Sequence, residues 1–155
     1  MRRLSTRIVL AAALLLSAVV AATAAADLSP AIKAELANSK YIYIATTRKN
    51  GSLGKPAEIW FLYHNGAVYV ASPPTTWRVR RIKAGRPQAK IAVGKPDGPS
   101  FMATGAAVTE PDVYAVLFET YAKKYAGDWT RYETSFRHGL KDGSRVLIKY
   151  TPKDS

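Results

Sequence analysis

Two arginines three residues apart, Arg78 and Arg81, are the side chains of this sequence best suited to binding chemistry. Residues 77–84 are predicted to form a short helix that Thr75 or Thr76 caps and a glycine ends. Residues three apart share a helix face, so both guanidinium groups should project to one side. Hydroxyls, arginines and free amides at a helix start are the donors that phosphate binds. The pattern indicates an anion site, and the alternative is a solvated basic surface.

The remaining titratable residues indicate no hydrolytic or metal site. His64 adjoins a predicted turn and His138 a predicted helix end, and neither has ligands or a catalytic partner at a useful spacing. Glu58 is the one acidic residue inside a predicted strand, where an ion pair is its simplest role. The sequence contains no cysteine, which excludes disulfides, thiolate zinc sites and iron–sulfur clusters. We therefore predict neither a metal site nor a thiol nucleophile.

The residues before the helix are predicted to form a β-meander. Alternating aromatic and β-branched residues predict three strands, at 41–47, 58–63 and 67–71. Asn-Gly pairs at 50–51 and 65–66 favour tight turns. A fourth strand follows the helix and ends near Val93. The sheet should therefore lead directly into the arginine-bearing helix.

The second half of the sequence is predicted to complete a barrel and to add two helices. A strand of small residues spans 100–109, with Gly105 as a candidate bulge. A helix starts at 110–112 and ends at Gly127, and Asp128 caps the next one. That last helix presents three aromatic residues, Trp129, Tyr132 and Phe136, before the final strand at 145–150. The sequence thus predicts an α+β fold, mainly β with peripheral helices.

Residues 1–26 have the pattern of a signal peptide. A basic start precedes an apolar run over 8–22, and small residues fit cleavage after Ala24 or Ala26. The apolar run is shorter than the roughly 20 residues of a spanning helix, so no stable membrane anchor is expected after cleavage. Residues 27–155 would then form a single domain that is periplasmic or secreted.

The predicted mature chain is strongly basic. The sequence has 23 Lys and Arg and 11 Asp and Glu residues, and loss of the leader's three arginines leaves 20 against 11, a net charge of +9. Such a charge favours anionic ligands or an acidic surface. No nucleic-acid-binding motif accompanies it, and an exported protein is not expected to bind nucleic acid.

Several short motifs between 41 and 93 occur in a distinctive order: Ile-Ala-Thr-Thr at 44–47, Gly-Lys-Pro at 54–56, Ile-Trp-Phe at 59–61, Val-Tyr-Val-Ala-Ser at 68–72, the basic run at 78–81 and Arg-Pro at 86–87. In this order they resemble the split-barrel flavin-binding superfamily typified by pyridoxamine 5'-phosphate oxidase. Residues 48–51 with 55–56 are also similar to its deazaflavin-dependent branch. The resemblance implies a six-stranded antiparallel split barrel. The oxidase's C-terminal arginine and histidine pattern is not found, so vitamin B6 oxidation is not expected.

The same resemblance implies a cofactor and the residues that bind it. FMN is expected, with a deazaflavin or haem as alternatives. In this superfamily a hydroxyl and a basic residue after the third strand hold the flavin phosphate, which carries over to Ser72, Thr76 and Arg78, with Thr75 and Arg81 beside them. Lys55 is expected to reach the cofactor, and three strand residues are expected near the isoalloxazine ring: Glu58, Ile59 and Trp60.

The resemblance further implies a homodimer with the cofactor at the subunit interface. Trp129, Tyr132 and Phe136 would line that seam or cover the ring, although an aromatic helix stripe is more often core. We expect an exported flavin-binding oxidoreductase with an unidentified small-molecule substrate. The alternatives are a non-catalytic flavin- or haem-binding module on the same fold and a basic adhesive protein. No catalytic residue is predicted.

Overall fold

The computed structural model describes residues 25–154. The predicted leader lies outside the described residues except for its last two, and the Ala26 amide donates to the Pro152 carbonyl at 3.1 Å. Within 25–154, none of the helices is both long and apolar enough to cross a bilayer. In chain order the elements are α1 (Pro30–Asn38), β1 (Ile42–Thr46), β2 (Ala57–Ile59), β3 (Leu62–His64), β4 (Ala67–Ser72), α2 (Trp77–Lys83), β5 (Gln88–Val93), β6 (Ser100–Val108), α3 (Pro111–Lys124), α4 (Ala126–Asp142) and β7 (Val146–Pro152).

One antiparallel sheet contains all seven strands of the described residues, in the order β2-β1-β5-β6-β7-β4-β3. β2 and β3 lie at opposite ends of this order, yet only Trp60 and Phe61 separate them in the chain. A sheet whose two edges are joined by two residues must curl, so it forms a split barrel. The prediction of one strand over 58–63 is therefore wrong, because its first part pairs with β1 and its last part with β4. Because this one predicted strand is two strands in the structure, the sheet of the described residues has seven strands where six were predicted.

Tyrosine hydroxyls from the end of α3 satisfy the backbone where the barrel is split. The Tyr125 hydroxyl accepts a hydrogen bond from the Phe61 amide at 3.0 Å and donates to the Lys40 carbonyl at 2.8 Å. The Tyr121 hydroxyl donates to the Trp60 carbonyl at 3.0 Å. Buried backbone groups that lack ladder partners need such substitutes, because leaving one unpaired costs about 1–3 kcal/mol. The helix therefore supports the junction between β2 and β3.

Buried side chains form two clusters, one on each face of the sheet. Strand β4 is buried along its whole length because Val68 and Val70 face the barrel interior while Tyr69 and Ala71 face the two long helices. The interior cluster is aliphatic except for a few rings. The outer cluster, under α3 and α4, is largely aromatic and includes Tyr121, Tyr125, Trp129 and Phe136.

Several local predictions are confirmed by the structure. The Asn65-Gly66 turn has φ values of 48° and 75°, as a tight hairpin requires. Helix α2 starts at Trp77 and is followed by Gly85 with φ 74°. Local sequence indicates these features because turn and helix-end conformations depend on neighbouring residues.

Gly105 and Gly127 have roles other than those predicted. No bulge interrupts the register of β6 with β7, and the glycine at 105 instead admits a ring, since a Cβ there would lie 2.7 Å from Cε1 of Tyr150. Helix α3 already ends at Lys124, so Gly127 and Asp128 both lie in the first turn of α4.

Candidate functional site

A cavity of about 390 Å³ lies between β1, the loop that follows it, and α2. Four cationic side chains line it: Arg48, Lys55, Arg78 and Arg81. Within residues 25–154, no acidic side chain lines this cavity and none of the four cations forms a salt bridge. Charges of one sign in a concave site focus a positive potential. We call this space the cationic cavity.

Helix α2 turns Arg78 and Arg81 into the cationic cavity because its apolar residues are anchored in the barrel. Val79 is buried, and Ile82 packs partly buried against the same interior cluster. These two residues are three apart, so the flanking Arg78 and Arg81 emerge together on the adjacent side. The three-residue spacing of Arg78 and Arg81 thus places both side chains on one side of the helix, as predicted.

Arg78 is a partly buried cation without a carboxylate partner in the described chain. Its Nη1 donates to the buried Ser72 hydroxyl at 3.0 Å. Burial lowers the pKa of Arg78, although a guanidinium remains charged at neutral pH. Nearby, the buried hydroxyl of Tyr150 has no hydrogen-bond partner in the described chain, and desolvation raises the pKa of Tyr150 to about 12. A desolvated charge without a counter-ion is costly, which is typical of a site that receives an anionic ligand.

Arg81 is fixed on β1. Its Nη1 donates to the Thr46 carbonyl at 2.8 Å and to the Thr46 hydroxyl at 2.7 Å. Gly54 makes room for this arrangement, because a Cβ at that position would lie 2.7 Å from the same nitrogen. A guanidinium held in this way loses little conformational entropy when its remaining donors bind a ligand.

The threonines before α2 differ in position. Thr76 lines the cationic cavity and is the N-cap residue, but its hydroxyl donates to the Pro73 carbonyl at 2.9 Å and does not cap the helix. Its amide donates to the same carbonyl at 3.1 Å. Thr75 is exposed and does not line the cavity. The hydroxyl and amide of Thr76 are therefore already bonded within the chain, and the formal positive charges of this site come from the three arginines and Lys55.

Trp77 is a feature of the site that the sequence analysis missed. Its side chain lines the cationic cavity and is 65% exposed. The guanidinium carbons of Arg80 and Arg81 lie 5.5 and 5.2 Å from its ring centroid. An exposed indole beside a cationic cavity offers a flat surface to an aromatic ligand. Its position between the site threonines and arginines was the signal that could have indicated it.

The three residues expected near a flavin ring do not line the cationic cavity. Glu58 points away from it and accepts a hydrogen bond from the Tyr43 hydroxyl at 2.5 Å. Successive side chains of β2 point to opposite faces of the sheet, and it is Ala57 that lines the cavity. Ile59 packs against the interior cluster. Trp60 is stacked between Tyr125 and Phe136, at centroid distances of 4.2 and 5.9 Å.

The structure thus brings together part of the predicted set. Lys55, Thr76, Arg78 and Arg81 share the cationic cavity, and Ser72 joins them through its bond to Arg78. The aromatic residues of α4 lie elsewhere, with Trp129 and Phe136 in the outer core cluster and Tyr132 37% exposed beside Trp60.

Comparison with known proteins gives the fold an independent reference. The sequence matches no family model and no curated protein. Among solved structures, a conserved hypothetical protein from Mycobacterium tuberculosis has a TM-score of 0.61 at 16% identity and covers 84% of each chain. The heme storage protein HutZ from Vibrio cholerae has a TM-score of 0.54 at 16% identity, covering 84% of this chain and 93% of its own. A third similar structure, from Clostridium acetobutylicum, is a protein related to general stress protein 26 of the pyridoxinephosphate oxidase family. Its TM-score is 0.56 at 16% identity, and the match covers 79% of this chain and 81% of its own.

Proposed function

We propose that this chain, which has the split-barrel fold of the pyridoxamine 5'-phosphate oxidase-like superfamily, is an exported flavin-binding oxidoreductase that holds the phosphate of FMN in the cationic cavity. The observation that carries the proposal is the burial of the Arg78 side chain without a carboxylate partner in the described chain. This arginine is partly buried, donates only to the Ser72 hydroxyl and lacks an acidic partner in the described chain. A phosphate dianion would supply the missing counter-charge and accept several charge-assisted hydrogen bonds.

The side chains of the cationic cavity fit a phosphorylated aromatic ligand. Arg48, Lys55 and Arg81 add three further charges around Arg78. Trp77 presents an aromatic surface beside them. Bound FMN would accept and deliver electrons, and the protein's part would be to bind it, orient it and control access to it. The chain's residues in this site are binding groups, since none is placed as a general acid or base.

A non-catalytic haem-binding module is the second candidate. What supports it is the structural likeness to the heme storage protein HutZ from Vibrio cholerae. The propionates of haem are anions that the same cations could bind. Its iron, however, needs an axial ligand such as histidine, cysteine, methionine or tyrosine, and none of these lines the cationic cavity in the described chain. The donor set therefore favours a phosphate over haem.

Binding of FMN by the purified protein tests the proposal. We expect added FMN to bind tightly, with quenched flavin fluorescence, and riboflavin to bind at least tenfold more weakly, because riboflavin lacks the phosphate. Absorbance of the protein from its native compartment would distinguish bound flavin, deazaflavin and haem. Reduction of the bound flavin by a nicotinamide nucleotide, followed by reoxidation by an acceptor, would separate an enzyme from a binder. Protein that takes up no FMN, or that carries only a Soret band, would contradict the assignment.

We also propose that the mature protein is a homodimer with the cavity near its seam. Two exposed apolar residues support this proposal, Trp77 at the cavity and Leu53 in the loop beside it, at 65% and 38% exposure. Apolar residues grouped at one place on a protein surface mark a candidate protein–protein interface. Sedimentation velocity should give a dimer, and Trp77→Ser together with Leu53→Ser should shift it towards monomer. A wild-type monomer with FMN bound would exclude a required interface.

A further inference from the structure

A second cavity, of about 640 Å³, lies between the end of α1, β3 and the last turns of α3. It shares no lining residue with the cationic cavity. Three lysines line it, Lys40, Lys123 and Lys124, and no acidic residue of the described chain does. We call it the lysine cavity.

Two adjacent lysines of this cavity have contrasting surroundings. Lys123 is exposed, and its Nζ forms a salt bridge with Glu119 at 2.7 Å. Lys124 is partly buried and has no carboxylate partner within residues 25–154. Its Nζ lies 3.3 Å from the ring centroid of the buried Phe61. An aromatic face attracts an ammonium group but does not neutralise it.

Burial of Lys124 favours its neutral amine and opposes the attraction of the Phe61 ring for the ammonium form. Desolvation lowers the pKa of Lys124 to about 8. The other titratable side chains that line this cavity or contact Lys124 are Lys40, Lys123, Tyr63 and Tyr125, and none of them is a carboxylate. About a tenth of Lys124 would then be neutral at pH 7, against fewer than about one in a thousand molecules of an ordinary lysine. Neutral amine is the form that attacks carbonyl carbon.

We propose that Lys124 is the nucleophile of a carbonyl-binding site, and that its ligand is a small anionic aldehyde. The neutral Nζ attacks the aldehyde carbon and forms a C–N bond. The carbonyl oxygen leaves as water with the two hydrogens of the amine, so an imine results without any oxidant or reductant. Lys40 lines the same cavity and attracts the ligand's negative charge, whereas the charge of Lys123 is already paired with Glu119.

Trapping of the imine in the purified wild-type protein tests the proposal. The protein is incubated with glyoxylate and cyanoborohydride between pH 6 and 10, and carboxymethylated lysines are mapped by peptide mass spectrometry. At pH 7 we expect Lys124 to be labelled about tenfold faster than Lys123, since its larger neutral fraction outweighs its lower basicity. The labelling of Lys124 should rise with pH and level off above about 8.

Two comparisons give the experiment its controls. Acetaldehyde lacks the negative charge and should label Lys124 several-fold more slowly than glyoxylate, and Lys40→Gln should reduce that preference. Lys124→Arg should abolish the fast labelling, and Lys123→Arg should preserve it. Equal rates for the two lysines at pH 7, or equal rates for the two aldehydes, would overturn the proposal. Because the two cavities are separate, loss of FMN binding in another variant would not affect this result.

Discussion

Replacement of Arg78 by methionine is expected to weaken FMN binding by about 1.5–3 kcal/mol, a rise in Kd of about tenfold to 150-fold. Methionine keeps much of the length of the side chain but removes a desolvated cation that has no carboxylate partner in the described chain. The ligand-free protein should change little in its free energy of unfolding, because relief of an unpaired charge offsets the lost bond to Ser72. Fluorescence titration and urea denaturation measure the two quantities.

Arg80 and riboflavin provide the controls for this experiment. Arg80 lies on the same helix and contacts Trp77, but it is exposed and does not line the cationic cavity. Arg80→Met should therefore change the Kd for FMN less than about threefold. Riboflavin should bind wild type and Arg78→Met almost equally. If Arg78→Met weakened riboflavin as much as FMN, the arginine would not be the phosphate ligand.

The parts of the fold that were predictable from sequence are those with local causes. Alternation predicted β1 and β4, and the Asn65-Gly66 pair predicted the hairpin turn with its positive φ values. The division of the predicted strand at 58–63 has a non-local cause. Apart from Glu58, both halves are apolar or aromatic, so composition could not show that one pairs with β1 and the other with β4.

The candidate site was predictable to a similar extent. Helical spacing placed Arg78 and Arg81 on one side, and the structure puts both in the cationic cavity. Arg48 was not among the predicted site residues, because its position beside α2 depends on how the loop folds back. The placement of Glu58 beside a ring came from resemblance and stays a prediction; what alternation along β2 shows is that this side chain meets Tyr43 and does not line the cationic cavity. A strand's pairing must be known before its faces can be assigned.

Replacement of Tyr125 by phenylalanine is expected to lower the free energy of unfolding by about 1–3 kcal/mol. The ring and its 4.2 Å stacking on Trp60 are retained, whereas the hydroxyl between the Phe61 amide and the Lys40 carbonyl is lost. The Phe61 amide lies at the split between β2 and β3, where no neighbouring strand pairs with it. It is therefore left as a buried donor without a partner.

Tyr132→Phe is the matched control, because its hydroxyl makes no hydrogen bond within the described chain although its ring also contacts Trp60, at 5.8 Å. Urea denaturation of both variants should show a loss for Tyr125→Phe and a change within about 0.5 kcal/mol for Tyr132→Phe. FMN affinity should be unchanged in both, since neither residue lines the cationic cavity. Equal stabilities of the two variants would mean that the split is not held by this hydroxyl. A loss confined to Tyr125→Phe would instead show that α3 stabilises the junction at which the two edges of the sheet meet.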